Sequence, residues 1–396
     1  MQRIIRAVEP HDSVERYTGL GVEVIAGQAR INSPWAVEVD GKTLTTRAIV
    51  IASGARPFIP KIPGLETVQY VTSETIWSLT ERPKRLVILG GGPIGCELAQ
   101  AFARLECQVT IVERDRLMAR EDAEVAEFMA TILQEDSVHL LTQTEAVRCE
   151  RRDTDTQYLI VRDSEGREQA LPFDALLCAV GRVARTEGLG LETLGIPLTE
   201  RRTIETNGWL ETIYPNIYAC GDVVGPYQFT HAAAHQAWYA AVNAMFGDLK
   251  RFKVDYSIIP WTTFTDPEVA RVGLSEAEAQ AREIKYEVTR YNLDDLDRAI
   301  ADEAARGFVK VLTPPGRDRI LGVTIVGSHA SDLLAEFVLA MKHGLGLNKI
   351  LGTIHTYPTW SEANKYAASE WKKKHVPQRL IGWLEKYHAY KRAPRK

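Results

Sequence analysis

Gly90-Gly91-Gly92-Pro93-Ile94-Gly95 is a G-x-G-x-x-G turn. It follows an apolar run at 85–89 and opens a stretch, 94–105, whose apolar residues recur at helical spacing. That context gives a common string a phosphate-binding meaning. Gly90 permits the tight turn, Gly92 lets backbone approach a pyrophosphate, and Gly95 lets the helix pack close to its strand. The helix N-terminus then offers unpaired N–H groups and the positive end of its dipole to the phosphates. The next strand, 108–113, ends at Glu113, 18 residues after Gly95. An acid there accepts hydrogen bonds from a ribose 2′-OH and repels a 2′-phosphate, which favours NAD over NADP. Arg114 and Arg116 pull the other way, because a nearby arginine can hold a 2′-phosphate.

A second acid stands at another strand end. The apolar run 217–219 stops at Cys220-Gly221-Asp222, where Gly221 lets backbone come close and Asp222 can accept from a sugar-like hydroxyl. Alone this is a common strand-end turn. His231 and His235 have i, i+4 spacing, but they lack the Glu of H-E-x-x-H and a third ligand, so no metal site is expected. The cysteines are Cys96, Cys107, Cys149, Cys178 and Cys220. Their number is odd and no pair has CxxC or CxxxxC spacing, which argues against a disulfide framework or a zinc site and for a reducing compartment.

These residues need elements to hold them. Runs at 22–25, 36–39 and 48–52 read as strands, and Pro57, Pro60 and Pro63 make an extended connector. A βαβ unit spans the glycine turn, a helix follows over 123–134, and a strand at 175–180 stops at Gly181. Further on come an Ala-rich helix at 231–246, strands near 270–273, 307–312 and 321–326, and helices at 330–343 and 360–374.

The 396 residues are 45% hydrophobic and 25% charged, with 28 Gly and 18 Pro, which excludes a disordered, collagen-like or coiled-coil chain. At roughly 100–200 residues per domain, two to four domains are expected. No run of 18 apolar residues exists and residues 1–30 show no signal peptide, so a cytoplasmic protein with no transmembrane segment is expected. The net charge of −4 argues against a nucleic-acid partner. Residues 372–396 carry nine Lys/Arg against one Glu and read as a solvated terminal helix, with Trp371 and Trp383 leaving an anionic surface as the other reading.

Together the motifs resemble the class I pyridine nucleotide-disulfide oxidoreductases, the family of mercuric reductase and dihydrolipoamide dehydrogenase. Ala52-Ser53-Gly54-Ala55-Arg56-Pro57 matches its A-T-G-A-R-P, which closes the first FAD segment. Gly90 to Gly95 with Glu97 matches its nicotinamide-nucleotide turn, and Gly181-Arg182 its return to the FAD domain. Tyr218 to Asp222 matches its second flavin motif, whose Asp binds the ribityl chain. Gly327-Ser328-His329-Ala330-Ser331-Asp332 and His355-Thr356-Tyr357-Pro358-Thr359 match its dimerisation domain.

The resemblance implies an α/β fold: a Rossmann-type NAD(P) domain at 83–183 inserted in an incomplete FAD-binding domain at 1–82 and 184–253. An α+β dimerisation domain at 254–372 and a basic tail at 373–396 would follow. It implies FAD and NAD as cofactors, a homodimer, and hydride passed from NAD(P)H to FAD and on to a disulfide or metal-ion acceptor. Glu97 would lie near the nicotinamide amide. In the family motif H-x-H-P-T-x-x-E the second His is an acid/base oriented by the Glu; those positions are Tyr357 and Glu362 here. A free tyrosine has pKa about 10, so Tyr357 is a poor general base and a good donor or orienting group. His355 is expected to be a packed, hydrogen-bonded histidine.

Two family motifs are missing from these residues: the first GxGxxG of FAD and the redox CxxxxC. Thr18-Gly19-Leu20-Gly21-Val22-Glu23-Val24 has Val24 at the third glycine position. The expectation is an N-terminally truncated chain with an exposed sheet edge. A non-catalytic nucleotide-binding dimeric remnant, or a disulfide-independent transhydrogenase or quinone reductase, are the other readings.

Overall fold

A computed structural model describes residues 2–152 and 156–392; of the basic tail, 393–396 lie outside the described residues. The chain divides into two units: the segment ending at Arg56 with Val183–Val254, and Pro57–Arg182 with the chain from Asp255 onward.

In the second unit, the βαβ pattern becomes a five-stranded parallel sheet. Its order is Tyr70–Thr72, Ala175–Cys178, Arg85–Leu89, Gln108–Val112, His139–Leu141. The inner strands Arg85–Leu89 and Ala175–Cys178 are near-continuous apolar runs because both faces are covered. Leu86, Ile88 and Ile111 face the helices Pro93–Arg104 and Ala123–Glu135, packing with Ala99, Val125, Met129 and Leu133. Their alternates Val87, Leu89 and Val112 pack against Leu159, Val161, Leu171 and Phe173 of an antiparallel sheet, Glu145–Arg151, Gln157–Arg162 and Glu168–Phe173. Each such side chain contributes roughly 1.5–3 kcal/mol on burial. This rigid layer fixes where Gly90 and Glu113 leave their strands.

The same unit carries an antiparallel sheet in the order Pro260–Thr263, Glu268–Gly273, Gly322–Gly327, Phe308–Thr313, Glu287–Asn292. Helices Ala330–Lys342 and Glu362–Lys374 bury Leu334, Phe337, Ala363 and Ala367 against its Val309, Val323 and Ile325. The helix Gln378–Arg392 follows, with Leu380, Trp383 and Tyr387 exposed.

In the first unit, the strands Ala29–Ser33, Ala36–Val39 and Lys42–Thr45 form a small antiparallel sheet. The expected strand at 22–25 is not one: Val22, Val24 and Ile25 are exposed and pair with no strand, and the sheet starts at Ala29. Ile49–Ile51 runs parallel to Ile217–Ala219 as a two-stranded sheet, whose edges carry no further strand among the described residues. Residues 210–212 bond along the Ile217–Ala219 side, and Val50 on the other strand is exposed. Helices Gln2–Val8 and Val14–Gly19 bury no residue, leaving Ile4, Val8, Val14 and Tyr17 in solvent.

Candidate functional site

The three glycines of the nucleotide turn are glycine for different reasons. Gly90 has φ +103°, and a Cβ there would sit 2.6 Å from the Ala179 carbonyl oxygen. At Gly95 a Cβ would lie 1.9 Å from the Gly90 oxygen, so helix and turn could not approach. Gly92 has ordinary extended backbone, φ −77° and ψ −176°, and a Cβ there would meet no atom within 4 Å. The first and third glycines are demanded by the fold; the second leaves open space at a helix N-terminus with no side-chain cap. An opening at the first turn of a helix, where N–H groups lack intrahelical partners, fits a pyrophosphate.

Glu113 stands just past Gln108–Val112, and its carboxylate accepts from Gly91 N–H (2.6 Å) and Asp115 N–H (3.0 Å). A carboxylate has about four lone-pair sites, so two remain for ribose hydroxyls. Arg116 is not offered to a phosphate in this geometry: its Nη2 donates to the carbonyls of Ala119 and Glu121. Arg114 remains exposed.

Glu97, one turn into the helix, accepts from Phe264 N–H at 2.8 Å. Burial pushes its carboxyl above the usual range, against the pull of that hydrogen bond. Gln100 and Arg104 hold the same loop, donating to Asp266. Deeper in this unit, Lys310 is 1% exposed and its ammonium lies among three carboxylates, Asp122 (2.6 Å), Glu276 (3.0 Å) and Glu124. Those oxygens lie close enough together to hold a cation, and the ammonium is that cation. Beside it, buried Arg271 pairs with Glu121 (2.9 Å) and Glu278 (2.8 Å) and lies over the Trp261 ring. The sequence reading missed both cations; a Lys and an Arg at buried positions within apolar strands were the available signal.

The second acidic turn lies in the other unit. Gly221, at φ +80°, opens a single 3₁₀ turn, and its N–H donates to Gln236 Oε1 at 2.5 Å. Gln236 is fully buried and its amide also donates to the Gly225 carbonyl at 3.2 Å. The turn that carries half-buried Asp222 is thus pinned from behind by the helix Thr230–Phe246. Gly54, at φ +69°, leaves its Cβ position open, and its carbonyl accepts from Arg185 N–H. An acid on a pinned glycine turn, able to accept from hydroxyls, fits the ribityl part of FAD. Sequence reasoning missed Gln236, a lone amide in an Ala-rich helix. Gly181, at φ +135°, accepts from Phe58 N–H at 2.9 Å in the nucleotide-turn unit.

Tyr357 and Glu362 are not hydrogen-bonded to each other. Glu362 is 4% exposed and accepts from Thr359 N–H (3.2 Å) and Tyr366 OH (3.3 Å). Tyr357 is 69% exposed and donates to Asp297 at 2.9 Å. The expected orientation of residue 357 by the family glutamate is therefore replaced. His355 is packed and hydrogen-bonded, between Glu336 (3.1 Å) and the Thr353 carbonyl (3.1 Å). All the cysteines are free and buried. Burial pushes the thiols of Cys96 and Cys178 up to about 12 and that of Cys149 up to about 11, so none of these three is a thiolate nucleophile at neutral pH.

Residues 5–237 match the pyridine nucleotide-disulphide oxidoreductase family, and residues 259–368 match its dimerisation domain. The chain belongs to the class I pyridine nucleotide-disulfide oxidoreductase family. It is 33% identical to the mercuric reductase of Staphylococcus aureus over 90% of this chain and 64% of that one. It is 35% identical to the mercuric reductase of Streptomyces lividans (89% and 76%) and 34% identical to the dihydrolipoyl dehydrogenase of Thermus scotoductus (88% and 75%). The chain thus spans about two-thirds of the length of the Staphylococcus relative. Its fold is similar to that of the HOCl-induced flavoprotein disulfide reductase RclA from Escherichia coli, with TM-score 0.81 and 28% identity over 90% of this chain and 82% of that one. Among the described residues, no helix is long and apolar enough to cross a membrane.

Proposed function

We propose that this chain carries the nicotinamide-nucleotide site, the ribityl turn and the dimer face of an FAD-dependent NAD(P)H oxidoreductase. The nucleotide domain would be 83–183, the FAD segments 1–82 and 184–253, and the dimerisation domain 254–372. The observation that carries the reading is the open Cβ position of Gly92 at a helix N-terminus with the Glu113 carboxylate beside it. Turn N–H groups bind the pyrophosphate, and Glu113 accepts from the ribose hydroxyls. Glu97, already fixed by Phe264 N–H, orients the nicotinamide amide. NADH is preferred, since the acid at residue 113 repels a 2′-phosphate and Arg116 is held by backbone carbonyls. Bound FAD supplies the two-electron carrier between nicotinamide and acceptor. Gly54, Gly221 and Asp222 hold its ribityl side.

The protein works as a cytoplasmic homodimer in which Tyr357 serves the partner subunit's site. The acceptor is a small molecule or a metal ion. A transhydrogenase or quinone reductase is the second reading, favoured by the exposed Arg114 beside Glu113. Titrating the purified protein with NADH and NADPH tests the nucleotide assignment. Tighter NADH binding is expected, with the preference lost in Glu113→Gln; equal affinities, or none, would remove it.

A further inference from the structure

Tyr357 is fixed by a residue that the sequence did not associate with it. It lies in the loop between the helices Leu347–Leu351 and Glu362–Lys374, and its hydroxyl donates to Asp297 Oδ2 at 2.9 Å. Asp297 opens the short helix Asp297–Ala301, 60 residues earlier in the chain. Glu362 is occupied elsewhere, by Thr359 N–H and Tyr366 OH.

The loop itself does not depend on Asp297. His355 binds Glu336, Thr359 Oγ1 donates to the Thr356 carbonyl at 2.7 Å, and Trp360 Nε1 donates to Asp302 at 2.9 Å. Asp297 therefore touches only the phenol end of this segment in the hydrogen-bond pattern, which allows its effect to be isolated.

We propose that Asp297 is the positioning residue of Tyr357: it fixes the phenol as a protonated donor to the carboxylate and leaves the hydroxyl lone pairs as the face shown to a bound molecule. This rests on the reading that Tyr357 serves the active site. Ionising the phenol would place a second negative charge about 3 Å from the first, which Coulomb repulsion opposes. The other groups acting on Tyr357 are Glu362 and Tyr366, from the helix Glu362–Lys374, and they work in the same direction as Asp297. Asp295, on the Asp297 side, acts on Tyr291 and Tyr366. An acceptor recognised by lone pairs presents a hydrogen-bond donor or a positive charge at its leading edge. Residue 357 thus selects for a protic or cationic acceptor and against a bare anion.

The test is near-ultraviolet difference titration of tyrosine ionisation in the wild-type protein, Asp297→Asn, Asp297→Glu and Tyr357→Phe. The protein has 14 tyrosines; the step missing in Tyr357→Phe is that of Tyr357. Asp297→Asn keeps an acceptor oxygen but removes the charge, and should move that step down by about one pH unit, with Asp297→Glu restoring it. Turnover of cationic over anionic acceptors should fall in Asp297→Asn. An unmoved step in Asp297→Asn overturns the proposal. A step that moves while Tyr357→Phe leaves turnover unchanged supports Asp297 as the partner of Tyr357 and overturns the placement of Tyr357 at the active site.

Discussion

Replacing Gly92 by alanine separates what the nucleotide turn needs for folding from what it needs for its ligand. The new Cβ meets no protein atom within 4 Å, and the φ of −77° is one that alanine adopts freely. Losing glycine at a helix N-cap costs up to about 1 kcal/mol, and the stiffer unfolded chain returns about 0.4–1 kcal/mol. Urea unfolding of Gly92→Ala should therefore match the wild type within about 1 kcal/mol. Gly95→Ala is the control: its Cβ would lie 1.9 Å from the Gly90 carbonyl oxygen, a backbone atom that cannot swing away. It should lose about 3 kcal/mol or more. Binding should show the reverse contrast, because the Gly92 methyl stands where the pyrophosphate approaches. NADH affinity in Gly92→Ala should fall by about 100-fold, equivalent to about 2.7 kcal/mol. Calorimetric or fluorescence titration reads this directly. If Gly92→Ala is as unstable as Gly95→Ala, or binds NADH like the wild type, the assignment of the open position to phosphate is refuted.

Further expectations concern the groups that brace the site. Gln236→Leu leaves the buried Gly221 N–H and Gly225 carbonyl unpaired and should cost roughly 1–3 kcal/mol for each group, read by chemical denaturation, with weaker FAD binding. Lys310→Met leaves Asp122 buried without its cation and should cost roughly 3–5 kcal/mol. For Asp122, burial raises the carboxyl, but hydrogen bonding and attraction to Lys310 carry it below its usual range. The stabilisation is therefore present above the unfolded value of about 4 and is lost as pH falls through the lowered folded value. Lys310 is raised on balance, burial being outweighed by its carboxylates, so its stabilisation persists below about pH 10 and fades only as pH rises through the raised folded value. The stability gap between wild type and Lys310→Met should be flat between about pH 5 and 9 and shrink below about pH 4. Thiol titration at pH 8 should detect almost none of the five buried cysteines in the native protein and all of them after unfolding; rapid native labelling would contradict their burial.

The parts of the fold legible in the sequence are those with local, repetitive causes. The run at 86–89 is apolar on both faces, and the glycine turn joins it to a helix, so strand, turn and helix all point the same way. The run at 22–25 had the right residue types but finds no ladder to join, because pairing is a property of neighbours. The strand Glu287–Asn292 went unread, since its polar residues mask an alternation that places Thr289 and Tyr291 inward. At the site, the glycines and acids announce themselves through spacing. Their supports do not: Gln236 lies 15 residues from Gly221, Lys310 lies 188 from Asp122, and Asp297 lies 60 from Tyr357. Such pairs are set by sheet order and helix packing, which no local window contains.

The most direct test of the central claim is the visible absorption spectrum of the protein supplied with FAD, recorded before and after anaerobic NADH. A bound flavin band that bleaches on adding NADH and weakens in Asp222→Ala is expected. A protein that retains no flavin, or a bound flavin that NADH leaves oxidised, would contradict it.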